Sequence, residues 1–316
     1  MYKKKGLFII ICIALIFNAC GQKTNKNMDN KIKDKVLNIY KQVKVFDYNP
    51  RFVLDFSAFG CTYQVLVNDV PVMNSNEPGD VGGAVYPFSE YVLHSGKQDI
   101  TIRLFPAMRD GYVRDSFLTA RSRMKLKVLE GDFHRQKPDD YKVLLQLETP
   151  EIVQDTLPYL EIKGSFTTTL PKEREIDGWS KGVDLSKEDK DKLLKEVVAK
   201  YEEFRQCFVK KDVYLLADIL YKRQLDFAKT YFQNKPEQSE EIWNKFEDMI
   251  NPVIKVFNLE NDKLVIYGNG KITALDRIDL KFERESIVKT ETENRFEYYS
   301  ILLYRPAPDA PLEVIR

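Results

Sequence analysis

At 316 residues, with 43% hydrophobic and 31% charged residues, the chain is long enough to bury a sizeable core and has the make-up of an ordinary folded protein, not a disordered or fibrous one. Lysine and arginine number 49 against 48 aspartate and glutamate, a formal net charge of +1, so the basic footprint that would point to nucleic acid or an anionic membrane surface is missing. With two histidines, His94 and His134, and no closely spaced Cys/His set, neither a zinc site nor any other cofactor is expected.

The first element reads as an export signal. Lys3, Lys4 and Lys5 give a basic start, and Gly6 to Phe17 form an apolar run shorter than the ~18–20 residues that cross a bilayer. Phe17-Asn18-Ala19-Cys20 then closes the run with a small residue before a cysteine. This segment resembles the bacterial lipobox, in which a peptidase cuts before the cysteine and the thiol carries a diacylglycerol anchor. Phe17 and Asn18 depart from the commonest Leu-Ala/Ser pattern. The resemblance implies a signal peptide over 1–19, lipidation at Cys20 and a membrane-anchored life in the bacterial cell envelope. Gly21, where an aspartate signals inner-membrane retention in enteric bacteria, tilts this toward the outer membrane, on its periplasmic or surface face. The polar stretch from Gly21 to Asp29 reads as part of a flexible tether, residues 20–30. Cys61 and Cys207 then remain, expected as separate buried thiols.

From Lys31 to Lys44, Ile32, Val36, Ile39, Tyr40 and Val43 fall near helical spacing and predict a short lead-in helix. Between Arg51 and Pro171 the period changes to two. Cys61, Tyr63, Val65 and Val67 alternate with Thr62, Gln64 and Leu66, and Asn68-Asp69 parts Val67 from Val70 as a two-residue hairpin turn does. Ile100, Ile102 and Leu104 repeat the pattern, as do Met124, Leu126 and Val128, and then Val143, Leu145 and Leu147; Tyr159 to Thr169 adds another run of β-formers. Short strands between Gly, Pro and Asp turns predict an antiparallel β-sandwich domain over 31–171, lead-in helix included.

Three pieces of this region, Val65 to Val72, Val85-Tyr86-Pro87-Phe88 and Leu93 to Leu104, resemble the jelly-roll, galactose-binding-like sandwiches that accompany many glycoside hydrolases. There a strand ending in Val-Asn-Gly turns back, a Pro-Phe segment follows, and Leu-x-x-Gly-x-Asn-x-Ile-x-Ile-Arg leads into another strand. Asp69 stands in place of the turn glycine, and Gln98 and Asp99 stand near the asparagine. The likeness covers 61–105 and speaks to fold, with a glycan as the alternative ligand it suggests.

After Pro171 a charged stretch containing Gly178-Trp179 and Gly182 reads as a linker, 172–185. Ser186 with Asp189 three residues on predicts a capped helix carrying Leu194, Val197, Val198, Tyr201, Phe204 and Phe208. Asp212 is expected to cap a second helix, and Ser239 a third that stops before Pro252. Strands return at Leu264 to Tyr267, Ile272 to Leu275 and Phe296 to Tyr304, the last apolar on both faces, and Pro306, Pro308 and Pro311 predict an extended end. Residues 186–316 thus read as a helix-rich α+β domain, and the whole chain as an α+β multidomain protein. The order of elements over 186–305 resembles the ketosteroid-isomerase-like cone, in architecture and in no shared catalytic residue.

No motif names a reaction. Gly268-Asn269-Gly270-Lys271 has one residue between its glycines where a phosphate loop has four, and it enters a strand pattern, so a hairpin is expected. Asn76-Glu77-Pro78-Gly79-Asp80, with Asp69, offers oxygen ligands without the spacing of a calcium loop and reads as a solvated turn. His94 beside Ser95 and His134 near Asp132 supply the residue types of a triad with no Gly-x-Ser-x-Gly elbow, and nothing selects an acid pair for glycoside cleavage. Side chains outside the periodic segments are the candidate partner or glycan contacts: Tyr86, Phe88 and Trp179, with Arg109, Tyr112, Arg114 and Phe117 on a long charged and aromatic loop from Met108 to Ala120. The expected function is a non-catalytic interaction protein, lipid-tethered, that takes a protein partner through the sandwich loops or the interdomain groove. Toxin immunity and envelope assembly both fit that description. A glycan-binding lipoprotein is one alternative, and an envelope hydrolase or isomerase with its site in the C-terminal domain is the other.

Overall fold

In a computed structural model, which describes residues 29–153, 156–260 and 262–316, the period-two segments become ten strands. The signal, Cys20 and the tether as far as residue 28 lie outside the described residues. In chain order the strands are β1 (Pro50–Phe59), β2 (Cys61–Val67), β3 (Val70–Ser75), β4 (Val81–Pro87), β5 (Gly96–Pro106), β6 (Met108–Arg109), β7 (Val113–Arg114), β8 (Arg123–Asp132), β9 (Lys142–Glu148) and β10 (Leu160–Thr168). Two four-stranded antiparallel sheets result, in the orders β4-β1-β8-β9 and β10-β5-β2-β3. Phe52, Leu54 and Phe56 of β1 and Leu126 and Val128 of β8 share one core with Val65 and Val67 of β2 and Ile100, Ile102 and Leu104 of β5. The alternation read from the sequence is the alternation of faces that this core requires.

The Asn68-Asp69 turn is the predicted hairpin: Val67 pairs with Val70, and both turn residues are left-handed, at φ 51° and 63°. β2 departs from simple amphipathy because both its faces are buried, Thr62 and Gln64 included. Its outer face is covered by residues far along the chain, and Leu66 belongs to a separate apolar cluster with Trp179 and Ile272.

Residues 29–37 are helical, α1, so the helix overlaps the predicted tether, and a 3-10 turn, Ile39–Gln42, follows. Its Ile32 and Val36, with Ile39, pack among the C-terminal helices, so the lead-in helix belongs to the second core and not to the paired sheets with which the sequence groups it. Those helices are α2 (Lys190–Lys210), α3 (Val213–Thr230) and α4 (Pro236–Ile250). Asp189, not Ser186, caps α2, accepting from Lys192 N at 2.8 Å, because Asp184 already holds the Ser186 amide and hydroxyl in a preceding 3-10 turn. The buried stripe of α2 runs Leu193, Val197, Tyr201, Phe204 and Phe208, leaving Leu194 and Val198 outside it and exposed. Asp212 caps α3 as predicted, through Leu215 N at 2.9 Å. α4 starts three residues before Ser239, at Pro236, whose missing N–H costs nothing at a first helical position. Ser239 is instead buried within the helix, and its hydroxyl accepts from Tyr40 N at 3.0 Å.

The remaining strands are β11 (Lys255–Val256), β12 (Asp262–Tyr267), β13 (Ile272–Arg277), β14 (Val288–Glu291), β15 (Phe296–Tyr299), β16 (Leu303–Tyr304) and β17 (Glu313–Val314), in the sheets β11-β14-β15 and β12-β13-β16-β17. Helices and antiparallel sheets together make the chain an α+β protein. Gly268 to Gly270 form the predicted hairpin turn between β12 and β13. The single strand expected from Phe296 to Tyr304 is broken between the two sheets, and Tyr201 Oη donates to the Ile301 carbonyl at the break, 2.6 Å away. The proline-rich end turns back to add β17. The predicted linker is fixed, with Arg174, Ile176 and Trp179 all buried. Cys61 and Cys207 are free, buried in different cores.

Candidate functional site

The paired sheets and the C-terminal elements meet along a seam. Leu66, Val70 and Leu93 close on Tyr267, Ile272, Leu302 and Tyr304, with Ile176 and Trp179 of the connecting segment packed among them. Two hairpin tips lock across it: Gly268 N donates to the Asp69 carbonyl and Asn269 N to Asp69 Oδ2, each at 2.9 Å. Asn74 Nδ2 reaches the Arg284 carbonyl at 2.9 Å, and Asn76 Nδ2 the Glu283 carbonyl at 2.5 Å.

Beside these contacts the seam opens into a cavity of about 400 Å³. Pro71 to Asn74 of β3 form part of its wall, and Tyr86, Glu90 and Tyr91 enter from the end of β4 and the turn after it. α3 contributes Arg223 and Phe227, which share a face because they are one helical turn apart. Asp276, Arg284, Glu285, Tyr298, Leu302 and Arg316 are among the lining residues from the C-terminal strands and their connections.

The charges behind this wall are tightly tied. Tyr231 Oη donates to Glu90 Oε2 at 2.5 Å, and burial with that carboxylate holds the phenol proton far above the usual range. Arg316, only 7% exposed, donates to the Glu90 carbonyl at 2.6 Å, lies 3.7 Å from Asp226 and sits over the Trp179 ring at 4.9 Å. Arg174 donates to the Ser89 carbonyl at 3.0 Å, and burial, then repulsion from Arg316, pushes it down to about 10. Asp276 accepts from Tyr267 Oη at 2.6 Å, yet burial outweighs that bond and pushes its carboxyl up to about 6.

Arg223 differs. Among the described residues its guanidinium has no hydrogen bond and no ion pair. Burial lowers its hold on the proton, with Tyr91 opposing and Arg316 adding to the effect. Arg223 thus brings a guanidinium, with five N–H donors, to the cavity lining without an acceptor among the described residues.

The candidates read from the sequence scatter over the molecule. Tyr86 is 39% exposed and stands at the cavity. Arg109, Tyr112 and Arg114 lie on the small β6–β7 hairpin, which replaces the expected open loop. Arg109 is an exposed partner of Asp115; Tyr112 donates to Glu77 at 3.0 Å and Lys281 covers its ring; Arg114 donates to Glu283 Oε2 at 2.7 Å and serves to hold the seam. Phe117 is exposed at 43%. Phe88 and Trp179 are not contact residues. Phe88 is 0% exposed and packs against Phe52 and Phe166, and Trp179 is 4% exposed in the seam; both lie outside periodic segments but plug a core where the chain crosses it.

His94 pairs not with Ser95 but with Ser180, Nε2 to Oγ 2.9 Å, and its other ring nitrogen is 3.8 Å from Glu175. The Ser180 hydroxyl donates to the Asp177 carbonyl at 2.6 Å, so its proton points away from the imidazole and His94 is the donor of the pair. Asp132 takes the backbone amides of Asn49, His134 and Arg135, a turn clasp. Asn76 is buried, and the acids around it do not converge: among the described residues no group of three His, Cys, Asp or Glu could hold a metal. The space between α2, α4 and their sheets is filled by Tyr201, Phe204, Phe208, Trp243 and Phe246.

Arg223, Asp276, Arg284 and Arg316 escaped sequence reasoning because they come from four separate elements. The one local signal is on α3, where Arg223 and Asp226 interrupt a side of the helix otherwise continued by Phe227 and Ala228. No protein family, curated protein or solved structure matches the chain.

Proposed function

We propose that the chain is a lipid-anchored, non-catalytic binding protein of the bacterial cell envelope, a β-sandwich domain followed by a helix-rich α+β domain, that takes a protein partner along β4. The observation that carries this is the edge itself. β4 ends its sheet, paired on one side by β1 and, among the described residues, free on the other, and its sequence Val81-Gly82-Gly83-Ala84-Val85-Tyr86-Pro87 holds no charge. Val85 and Tyr86 are 54% and 39% exposed. Free edges are normally blunted by lysine, a buried charge or a cover, because an unpaired row of N–H and C=O groups invites another strand. The opposite edge, β9, carries Lys142 and Glu148. An uncharged edge favours an extended partner segment bound by main-chain hydrogen bonds, with Val85 and Tyr86 giving side-chain selectivity.

The test is capture of a stoichiometric protein from native envelope by the wild-type chain and by Val85→Lys, which puts a charge on the exposed edge and removes no buried group. The expected result is one protein retained by the wild type and lost at least tenfold in the variant, with both melting at the same temperature. Equal retention, or none by the wild type, ends the reading. The anchor is tested separately: Cys20→Ala is expected to lose labelling by a clickable palmitate analogue and to move from the membrane to the soluble fraction, and unchanged fractionation refutes it.

A further inference from the structure

We propose that the seam cavity binds a small organic monocarboxylate carrying an aromatic ring, with its carboxylate on Arg223. At about 400 Å³ the cavity is within the range of small-molecule sites. Its anchor is the half-buried Arg223, which, among the described residues, makes no hydrogen bond or ion pair and presents the planar fork that matches a carboxylate. Two further arginines of the lining, Arg284 and Arg316, each hold a buried Nε with no acceptor among the described residues.

The neighbours set the charge and shape of the ligand. Glu90, Asp276 and Glu285 line the same space, so a single negative charge is favoured and a dianion such as a phosphate monoester is repelled. Tyr86, Tyr91, Phe227 and Tyr298 supply ring faces and edges, with Val72 and Leu302 as apolar floor. Tyr231 already occupies Glu90, and Glu283 already pairs with Arg284 at 3.1 Å, which leaves Arg223 as the group that a ligand would satisfy. This site is independent of a partner on β4, although Tyr86 belongs to both.

The experiment is calorimetric titration of the full chain, in mild detergent, with benzoate, phenylacetate and 3-phenylpropionate, and with 3-phenylpropanamide and inorganic phosphate as comparators. At least one carboxylate is expected to bind saturably at one site. Its affinity should fall tenfold or more in Arg223→Gln, stay within twofold in Arg109→Gln on the distant hairpin, and fall tenfold or more when the amide replaces the carboxylate on the unaltered protein. The last comparison needs no variant, so a folding defect in Arg223→Gln leaves the proposal exposed to refutation. No saturable carboxylate binding, equal binding of acid and amide, equal binding by Arg223→Gln, or preference for phosphate each overturns it.

Discussion

Replacing Trp179 by alanine is expected to destabilise the protein by about 3–5 kcal/mol, the range for removing a large buried aromatic side chain. The ring is 4% exposed and packs in the cluster that joins Leu66, Val70 and Leu93 to Ile272, Leu302 and Tyr304, and the Arg316 guanidinium lies over it at 4.9 Å. Its loss opens a void at the seam and leaves a buried cation without its ring. Urea unfolding followed by fluorescence and far-UV circular dichroism is the measurement. The two probes are expected to agree in the wild type and to separate in Trp179→Ala, as the paired sheets and the helical core lose their common support. Phe117→Ala, which removes a ring 43% exposed, should stay within about 0.5 kcal/mol of the wild type. A Trp179→Ala midpoint equal to that of Phe117→Ala would show that the seam contributes little.

The second large effect has the opposite sign. Asp276 is 7% exposed and its carboxyl is pushed up to about 6 from an ordinary 3.8. In the unfolded chain it ionises at its ordinary value, so between about pH 4 and pH 6 the folded state holds the extra proton and stability falls as pH rises. Above pH 6 the carboxylate imposes its full penalty, on the order of 2–3 kcal/mol. Asp276→Asn retains an oxygen for the Tyr267 hydroxyl and cannot ionise. It should therefore stabilise the protein by about 2 kcal/mol at pH 7.5 and by about 1 kcal/mol or less at pH 4.5. A gain of equal size at both pH values, or a loss at pH 7.5, would mean that Lys263 and Arg284 already compensate the charge.

Local patterns carried much of the fold. The Asn68-Asp69 turn, the Gly268 to Gly270 hairpin and the Asp212 cap are decided within a few residues, by left-handed backbone or by one side-chain oxygen, and the sequence names them correctly. The cap of α2 was missed because Asp184, two residues before Ser186, competes for the same hydroxyl and amide. Phe88 and Trp179 were misread for a different reason: periodicity identifies burial inside regular elements and is silent where an irregular segment crosses a core. The cavity was illegible because no single element contains it. Arg223 on a helix, Asp276 on a strand, Glu90 in a 3-10 turn and Arg316 after the last strand share a wall only once two hydrophobic surfaces have docked.

The position of α1 bears on how the chain reaches this state. Residues 29–42 are made well before the segments they pack against, yet Ile32, Val36 and Ile39 find their partners between Leu185 and Val314, and Tyr40 waits for Ser239, 199 positions away. The paired sheets can collapse on contacts made among residues 50–168 while that amphipathic leading segment is still unmatched. Closing so long a loop slows the final step, and until it is complete the apolar stripe of α1 is open to unrelated surfaces. An early segment of the chain is thus among the last to be sheltered, which makes it the natural place for a holding chaperone to act.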